Sequence, residues 1–214
     1  MHLDIKHDGI NMIRKLVLSA ALFAFVNAAH AHETAPDELV RKSTSEVLAM
    51  LKADKDLAAG DPAKVEKLAD EKILPYFNFQ RMTQLAVGRG WRDATDAQKT
   101  SLINEFRKLL VRTYSSSLSQ FKNQQIEVRP LKVGPSETEV VVKTTISQQG
   151  APGIPIDYSM EKTKGGWKVF DVLIDGVSLV TNYRSSFATE IKNGGVDGLV
   201  KSLSDRNAKN AAKK

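Results

Sequence analysis

From Pro36 onward the apolar residues recur at helical spacing. Leu39, Val40, Val47, Leu48 and Leu51 follow a proline suited to a first helical turn. Asp61-Pro62 reads as an N-cap and first position for a helix through Val65, Leu68, Ala69 and Ile73, which Pro75 breaks. Asn78 caps a short helix, FQRMTQLAV, that Gly88 ends. Thr95 and Gln98 form a capping box for the longest helix. Its stripe is Leu102, Phe106, Leu109, Leu110, Tyr114, Leu118 and Phe121.

The period then changes to two. Ile126 to Arg129 alternates, and TEVVVKTTIS (Thr138–Ser147) sets Val140, Val142, Thr144 and Ile146 against Val141, Lys143 and Thr145. Ile154, Ile156, Tyr158 and Met160 oppose Asp157, Ser159 and Glu161, while Trp167–Ile174 is apolar on both sides. Gly-Pro and Gly-Gly turns separate these runs, which predicts an antiparallel sheet of about four strands. Helical spacing returns at Val177, Val180, Arg184, Phe187 and Ile191. Gly194-Gly195 interrupts it, and a last helix carries Val196, Leu199, Val200 and Leu203. The fold class is α+β: a helical N-terminal half packed on the sheet, with C-terminal helices. A strand apolar on both sides has either both faces covered or a sheet curved around a cavity.

The chain has 214 residues, and its beginning reads as a leader. Arg14 and Lys15 precede the apolar run LVLSAALFAFV, and Ala29-His30-Ala31 supplies the small-x-small pattern of signal-peptidase cleavage. The expected organisation is a signal peptide over 1–31, cleaved between Ala31 and His32, a domain over 32–204 and a solvated basic tail over 205–214. Met12 is an alternative start, because MIRKL opens a better leader. No later run reaches the roughly 18 apolar residues of a membrane span. The net charge is +6, and removal of the leader lowers it by one. Such a moderate excess suits anionic partners or simple solubility.

With no cysteine, disulfides, thiolate metal sites and thiol nucleophiles are excluded. All four histidines lie within the first 32 positions (His2, His7, His30, His32), so the domain has no internal imidazole for a triad or zinc site. No metal site, cofactor or phosphate loop is expected, and scattered basic residues give no nucleic-acid signature. Asp171 and Asp175 are the remaining candidates for chemistry. Alternation puts them on one face, and a buried Asp171 could serve as general base in a small cone-fold enzyme acting on a hydrophobic substrate, isomerase- or dehydratase-like. The plainer alternative is a structural carboxylate paired with a backbone N–H or with Arg184, Arg81 or Arg112.

Four blocks carry a family resemblance: LPYFNFQRMTQLAVGRGWRDAT (Leu74–Thr95), EFRKLLVRTYSSSL (Glu105–Leu118), GWKVFDVLIDGVSLVTNYRSSF (Gly166–Phe187) and GGVDGLVKSL (Gly194–Leu203). In this order they resemble the toluene-tolerance/MlaC family of periplasmic phospholipid-binding proteins. Asn78 departs from the aspartate common in members, and both residue types cap helices. The resemblance implies a strongly curved antiparallel sheet similar to the NTF2-like cone, a cavity for acyl chains, and a carrier rather than an enzyme. It implies a monomer in the periplasm, with phospholipid as cargo and no cofactor. It also implies shuttling between an outer-membrane lipoprotein–porin complex and an inner-membrane ABC transporter complex, which maintains outer-membrane lipid asymmetry.

The resemblance gives the general place of a lining, and alternation picks its members. The sheet would contribute Val142, Thr144, Ile146, Ile156, Tyr158, Val169, Val172 and Ile174. The segment after it would contribute Val177, Leu179 and Tyr183. The long helix would add Leu110, Tyr114 and Leu118, and the short one Met82 and Leu85. Each position serves a plain core equally well. Tyr158, Tyr183 and Arg184 are candidates to reach a head-group phosphate, with a strand-aspartate partner as the alternative for Arg184.

Overall fold

A computed structural model describes residues 34–118, 124–148 and 150–212. The expected leader and Phe121 lie outside the described residues, and Leu118 is described in its backbone only. Three helices come first: α1 (Pro36–Ala53), α2 (Lys55–Ala59) and α3 (Pro62–Leu68). Asp61 Oδ1 accepts from Lys64 N at 2.9 Å and caps α3 as expected. A π turn, Ala69–Ile73, and a 3-10 turn, Leu74–Tyr76, absorb the Pro75 break. Then come α4 (Phe79–Val87), the short α5 (Gly90–Asp93) and the long α6 (Asp96–Leu118). Asn78 Oδ1 caps α4 by accepting from Arg81 N at 3.1 Å. Thr95 and Gln98 exchange reciprocal bonds at 2.9 and 3.2 Å, the capping box at the start of α6.

The sheet has five antiparallel strands in sequential order: β1 (Gln125–Val128), β2 (Glu139–Gln148), β3 (Ala151–Thr163), β4 (Gly166–Ile174) and β5 (Val177–Ser178). The fifth strand replaces the expected start of a helix at Val177. Asp175 (φ 50) and Gly176 (φ 77) both have positive φ, the requirement of a tight hairpin turn, and turn the chain back for two residues of pairing. The last helix, α7 (Leu179–Ala212), follows and breaks at Gly195 (φ 66, ψ −170), where the sequence places its Gly-Gly interruption.

One irregularity decides which side chains share a face. Ser159 pairs with Asp171, but its neighbour Met160 pairs with Val169, so Phe170 is an extra residue in β4. The bulge turns Val169, Val172 and Ile174 to the same side, opposite Met160, Tyr158 and Ile156. Strict alternation would have separated Val169 from Val172.

Two hydrophobic clusters flank the site. The helical one joins Met82, Ala86, Leu102, Phe106, Leu110, Val180, Phe187, Leu199 and Leu203 from α4, α6 and α7. The other lies on the sheet, where Val128, Val142, Met160, Trp167 and Val169 pack under Val40 of α1. Phe77 packs against both. It forms a parallel bridge to Val169, and Asn78 N donates to Val169 O at 2.8 Å, so this strap covers the part of β4 that β5 is too short to reach. A third cluster, Val47, Leu51, Leu57, Val65 and Leu68, ties α1 to α2 and α3.

The C-terminal end corrects the expectation of a solvated tail from Asp205. Helix α7 runs on to Ala212, and Asn207 is only 3% exposed. Its Nδ2 donates to Glu105 O (2.9 Å) and Glu105 Oε2 (2.8 Å), and its carbonyl accepts from Arg112 Nη1 at 2.5 Å. The anchor is a polar contact with α6, which no apolar periodicity announces.

Candidate functional site

Strand register places all eight sheet residues expected to form a lining on a single face. Thr144 opposes Ile156, which opposes Ile174. Val142 opposes Tyr158, which opposes Val172. Ile146 opposes Ile154, and Val169 opposes Met160. Exposure grades along this face. Val142, Thr144, Ile146, Met160 and Val169 are buried. Ile156, Tyr158, Val172 and Ile174 are half-buried. Ile154 and Val177 at the far end are exposed, Val177 by 61%. The buried end is therefore sealed core, and the accessible apolar wall begins at Tyr158 and Val172. Val177 is corrected from a wall residue to a rim residue: it pairs with Ile174 on a two-residue edge strand that leaves its side chain outside the packing.

The helical residues divide in the same way. Met82 and Leu110 are buried in the helical cluster, whereas Leu85, Tyr114, Leu179 and Tyr183 are half-buried at its margin. The sheet and helix residues thus belong to two separate apolar groups, with Phe77 at their junction.

Polar chemistry on these walls is sparse. Thr144 spends its hydroxyl on Ile156 O at 2.6 Å. Tyr158 lies among apolar neighbours, and that desolvation pushes its phenol up to about 12. Burial raises the Tyr183 phenol as well, with the nearby Tyr114 adding to it. In the unfolded chain a phenol ionises near its ordinary value of about 10. Between that value and about 12 the unfolded chain sheds a proton that Tyr158 retains, so folding stability falls as pH rises through this window. The fall in urea midpoint between pH 9 and pH 11.5 should be visibly smaller in Tyr158→Phe than in the wild type. Equal slopes would show that Tyr158 titrates normally.

Neither aspartate is placed as a free base. Asp171 Oδ1 accepts from Val172 N (2.8 Å) and Val180 N (3.1 Å), and Oδ2 accepts from Ser178 Oγ (2.5 Å). A strand carboxylate thus caps the first turn of α7, where it also meets the positive end of the helix dipole. This is the structural alternative, with backbone N–H groups rather than an arginine as partners. Asp175 sits exposed in the turn. Asp171→Ala should cost about 1–2 kcal/mol, the size of a lost cap with an orphaned N–H, read as a lowered urea midpoint. An unchanged midpoint would show that α7 does not depend on this cap.

Arg184 pairs with no strand aspartate. Its Nε donates to Leu85 O at 3.1 Å, close to the C-terminus of α4, and the side chain is otherwise exposed. Among the described residues no group of three or more His, Cys, Asp or Glu could hold a metal ion, and no helix is long and apolar enough to cross a membrane.

The family model described as MlaC protein matches residues 41–205. The chain belongs to the MlaC family. It is 27% identical over 191 residues to the toluene tolerance protein ttg2D of Pseudomonas putida, covering 88% of this chain and 86% of that one. It is 22% identical over 188 residues to the intermembrane phospholipid transport system binding protein MlaC of Haemophilus influenzae, covering 86% and 88%. Among solved structures, a phospholipid-binding protein from Ralstonia solanacearum in complex with a phospholipid superposes with a TM-score of 0.77 at 40% identity, covering 83% of this chain and 99% of that one.

Asn78 has a second role beside its cap. Its Nδ2 donates to Glu161 Oε1 at 2.7 Å, so an aspartate here would set a second carboxylate against Glu161. Arg81 completes the node, reaching Glu161 at 2.5 Å and Glu139 at 2.6 Å with its guanidinium 3.8 Å above the Phe170 ring. These contacts bind α4 to β2, β3 and β4. They join residues from 58 (Arg81 and Glu139) to 89 (Arg81 and Phe170, 170 − 81) positions apart, so spacing along the chain carries no signal of them.

Proposed function

We propose that this chain is a periplasmic phospholipid carrier that shields acyl chains against the apolar sheet face and the margin of the helical cluster. It would shuttle lipid between an outer-membrane lipoprotein–porin complex and an inner-membrane ABC transporter complex, and so maintain outer-membrane lipid asymmetry. The leader read over residues 1–31 would direct export, and the domain from His32 would work as a monomer. The observation that carries the reading is the continuous apolar face from Tyr158 and Val172 to the Ile154–Val177 rim, accessible where an ordinary core would be sealed. The phospholipid in the Ralstonia relative supports the same choice of cargo.

Two acyl chains hold roughly 30 methylenes at about 0.8 kcal/mol each, so of order 20 kcal/mol opposes their passage through water. A carrier offsets this with apolar surface and needs no acid–base pair. Release then requires a partner that favours an altered state of the carrier, because the chains do not leave into water. The enzyme alternative loses its main support, since both oxygens of Asp171 are engaged at the start of α7. Protein purified without detergent from a Gram-negative host should yield near-stoichiometric phospholipid on solvent extraction and mass spectrometry. Lipid-free protein under those conditions would overturn the reading.

A further inference from the structure

Tyr158 stands where the apolar face passes from accessible wall to sealed core. Val142 and Val172 lie opposite it across the strands, and Ile156 and Met160 are its same-face neighbours along β3. Its hydroxyl bonds to no described side chain or backbone group and is not among the sealed polar atoms, in contrast to Thr144 one pair away, which satisfies itself on the backbone. A lipid laid on this wall would take water from that hydroxyl, which is costly unless the lipid itself bonds to it.

We propose that Tyr158 Oη donates a hydrogen bond to an ester carbonyl of the bound glycerophospholipid, so that the carrier prefers ester-linked to ether-linked lipids. The inference rests on the carrier reading above and assigns a specificity residue within that site. A neutral acceptor is favoured over the phosphate because, among the described residues, the cations on the elements packed here are engaged or turned away: Arg41 Nη2 donates to Val128 O at 3.1 Å. Arg81 is committed to Glu139 and Glu161, and Lys143 projects from the opposite face of β2. A desolvated phosphate beside Val142 and Val172 would carry an unpaired charge, whereas a carbonyl needs only the one donor that is there. A phenol is protonated at physiological pH, so that donor is always present.

The test compares wild type and Tyr158→Phe, first for phospholipid retained from the host. Each is then incubated with vesicles of equimolar dioleoyl phosphatidylglycerol and its dialkyl ether analogue of equal chain length, and the bound ratio is read by native mass spectrometry. The wild type should favour the ester lipid about three- to tenfold, the range of one neutral hydrogen bond, and Tyr158→Phe should take both about equally. The ratio is measured within one protein, so a change in stability does not imitate it. Equal uptake by the wild type, or a preference that survives in Tyr158→Phe, would overturn the contact. A loss of both lipids in equal measure would also overturn it, pointing to a phosphate or packing role. Wild-type protein holding no lipid from either source would reject the carrier reading and this contact together. Retained lipid without an ester preference would reject the contact alone.

Discussion

Val172→Glu should give a folded protein that purifies without phospholipid. Val172 is half-buried, pairs with Tyr158 across the strand, and faces the same side as Ile156 and Ile174. A carboxylate there would have to be desolvated by any acyl chain laid on this wall. Burying an unpaired charge costs more than the few methylene contacts it displaces would return. Because the wall is accessible when unloaded, the glutamate can stay hydrated in the empty protein, so the loss should fall on cargo rather than on folding. The paired control is Val141→Glu. Val141 of β2 points to the opposite face of the sheet and is 43% exposed, so the same chemical change should leave lipid content intact. Extraction and mass spectrometry of both variants, with circular dichroism and a melting curve for each, checks the pair. Wild-type lipid content in Val172→Glu would show that the acyl chains lie elsewhere.

The largest stability effect is expected at Phe106. Its ring is 0% exposed in the helical cluster and meets Tyr183 and Phe187 edge-on, with centroids 5.1 and 5.3 Å away. Truncation to alanine removes the transfer free energy of the ring, leaves a cavity between α6 and α7, and strips two aromatic partners of their edge contacts. Phe106→Ala should therefore lose about 3–5 kcal/mol of unfolding free energy, read from urea denaturation at constant slope. The loss should exceed that of Asp171→Ala. A cost below about 1 kcal/mol would mean that the helices close over the gap and that this contact does not hold α6 to α7.

Features built from neighbours along the chain were legible beforehand. The caps at Asp61, Asn78 and Thr95 need only residues within one turn, and each makes its expected bond. The faces of β2 and β3 follow from period two. The break at Gly195 follows from glycine's access to positive φ. What escaped reading depends on the partner. The bulge at Phe170 exists only in relation to Met160 and Ser159, so alternation alone splits Val169 from Val172. Asp171 looked like a candidate base because its acceptors' partners, Ser178 and the Val180 amide, reach it only after the Asp175-Gly176 turn folds back. Asn207 sits in a run of polar residues, and its burial is visible only once Glu105 and Arg112 stand opposite. Val177 is expected on the wall because it opens the helical stripe that continues with Val180 and Phe187. Its exposure comes from β5 ending after two residues.

The extra residue in β4 also bears on which inherited changes this gene can tolerate. With Phe170 in place, Val169 and Val172 face one way while Asp171 turns the other way to hold the start of α7. Deleting Phe170 would set Val169 and Val172 two residues apart, so plain alternation would keep both valines on the apolar side and Asp171 on the other. That deletion removes the bend of the strand and the ring beneath the Arg81 guanidinium, but neither wall nor helix anchor. Deleting Asp171 also keeps the valines on one side, yet it leaves the first turn of α7 without its carboxylate. A deletion scan should find the loss of Phe170 tolerated better than the loss of Asp171, while the Lys164-Gly165 turn between β3 and β4, exposed and outside both roles, accepts changes in length.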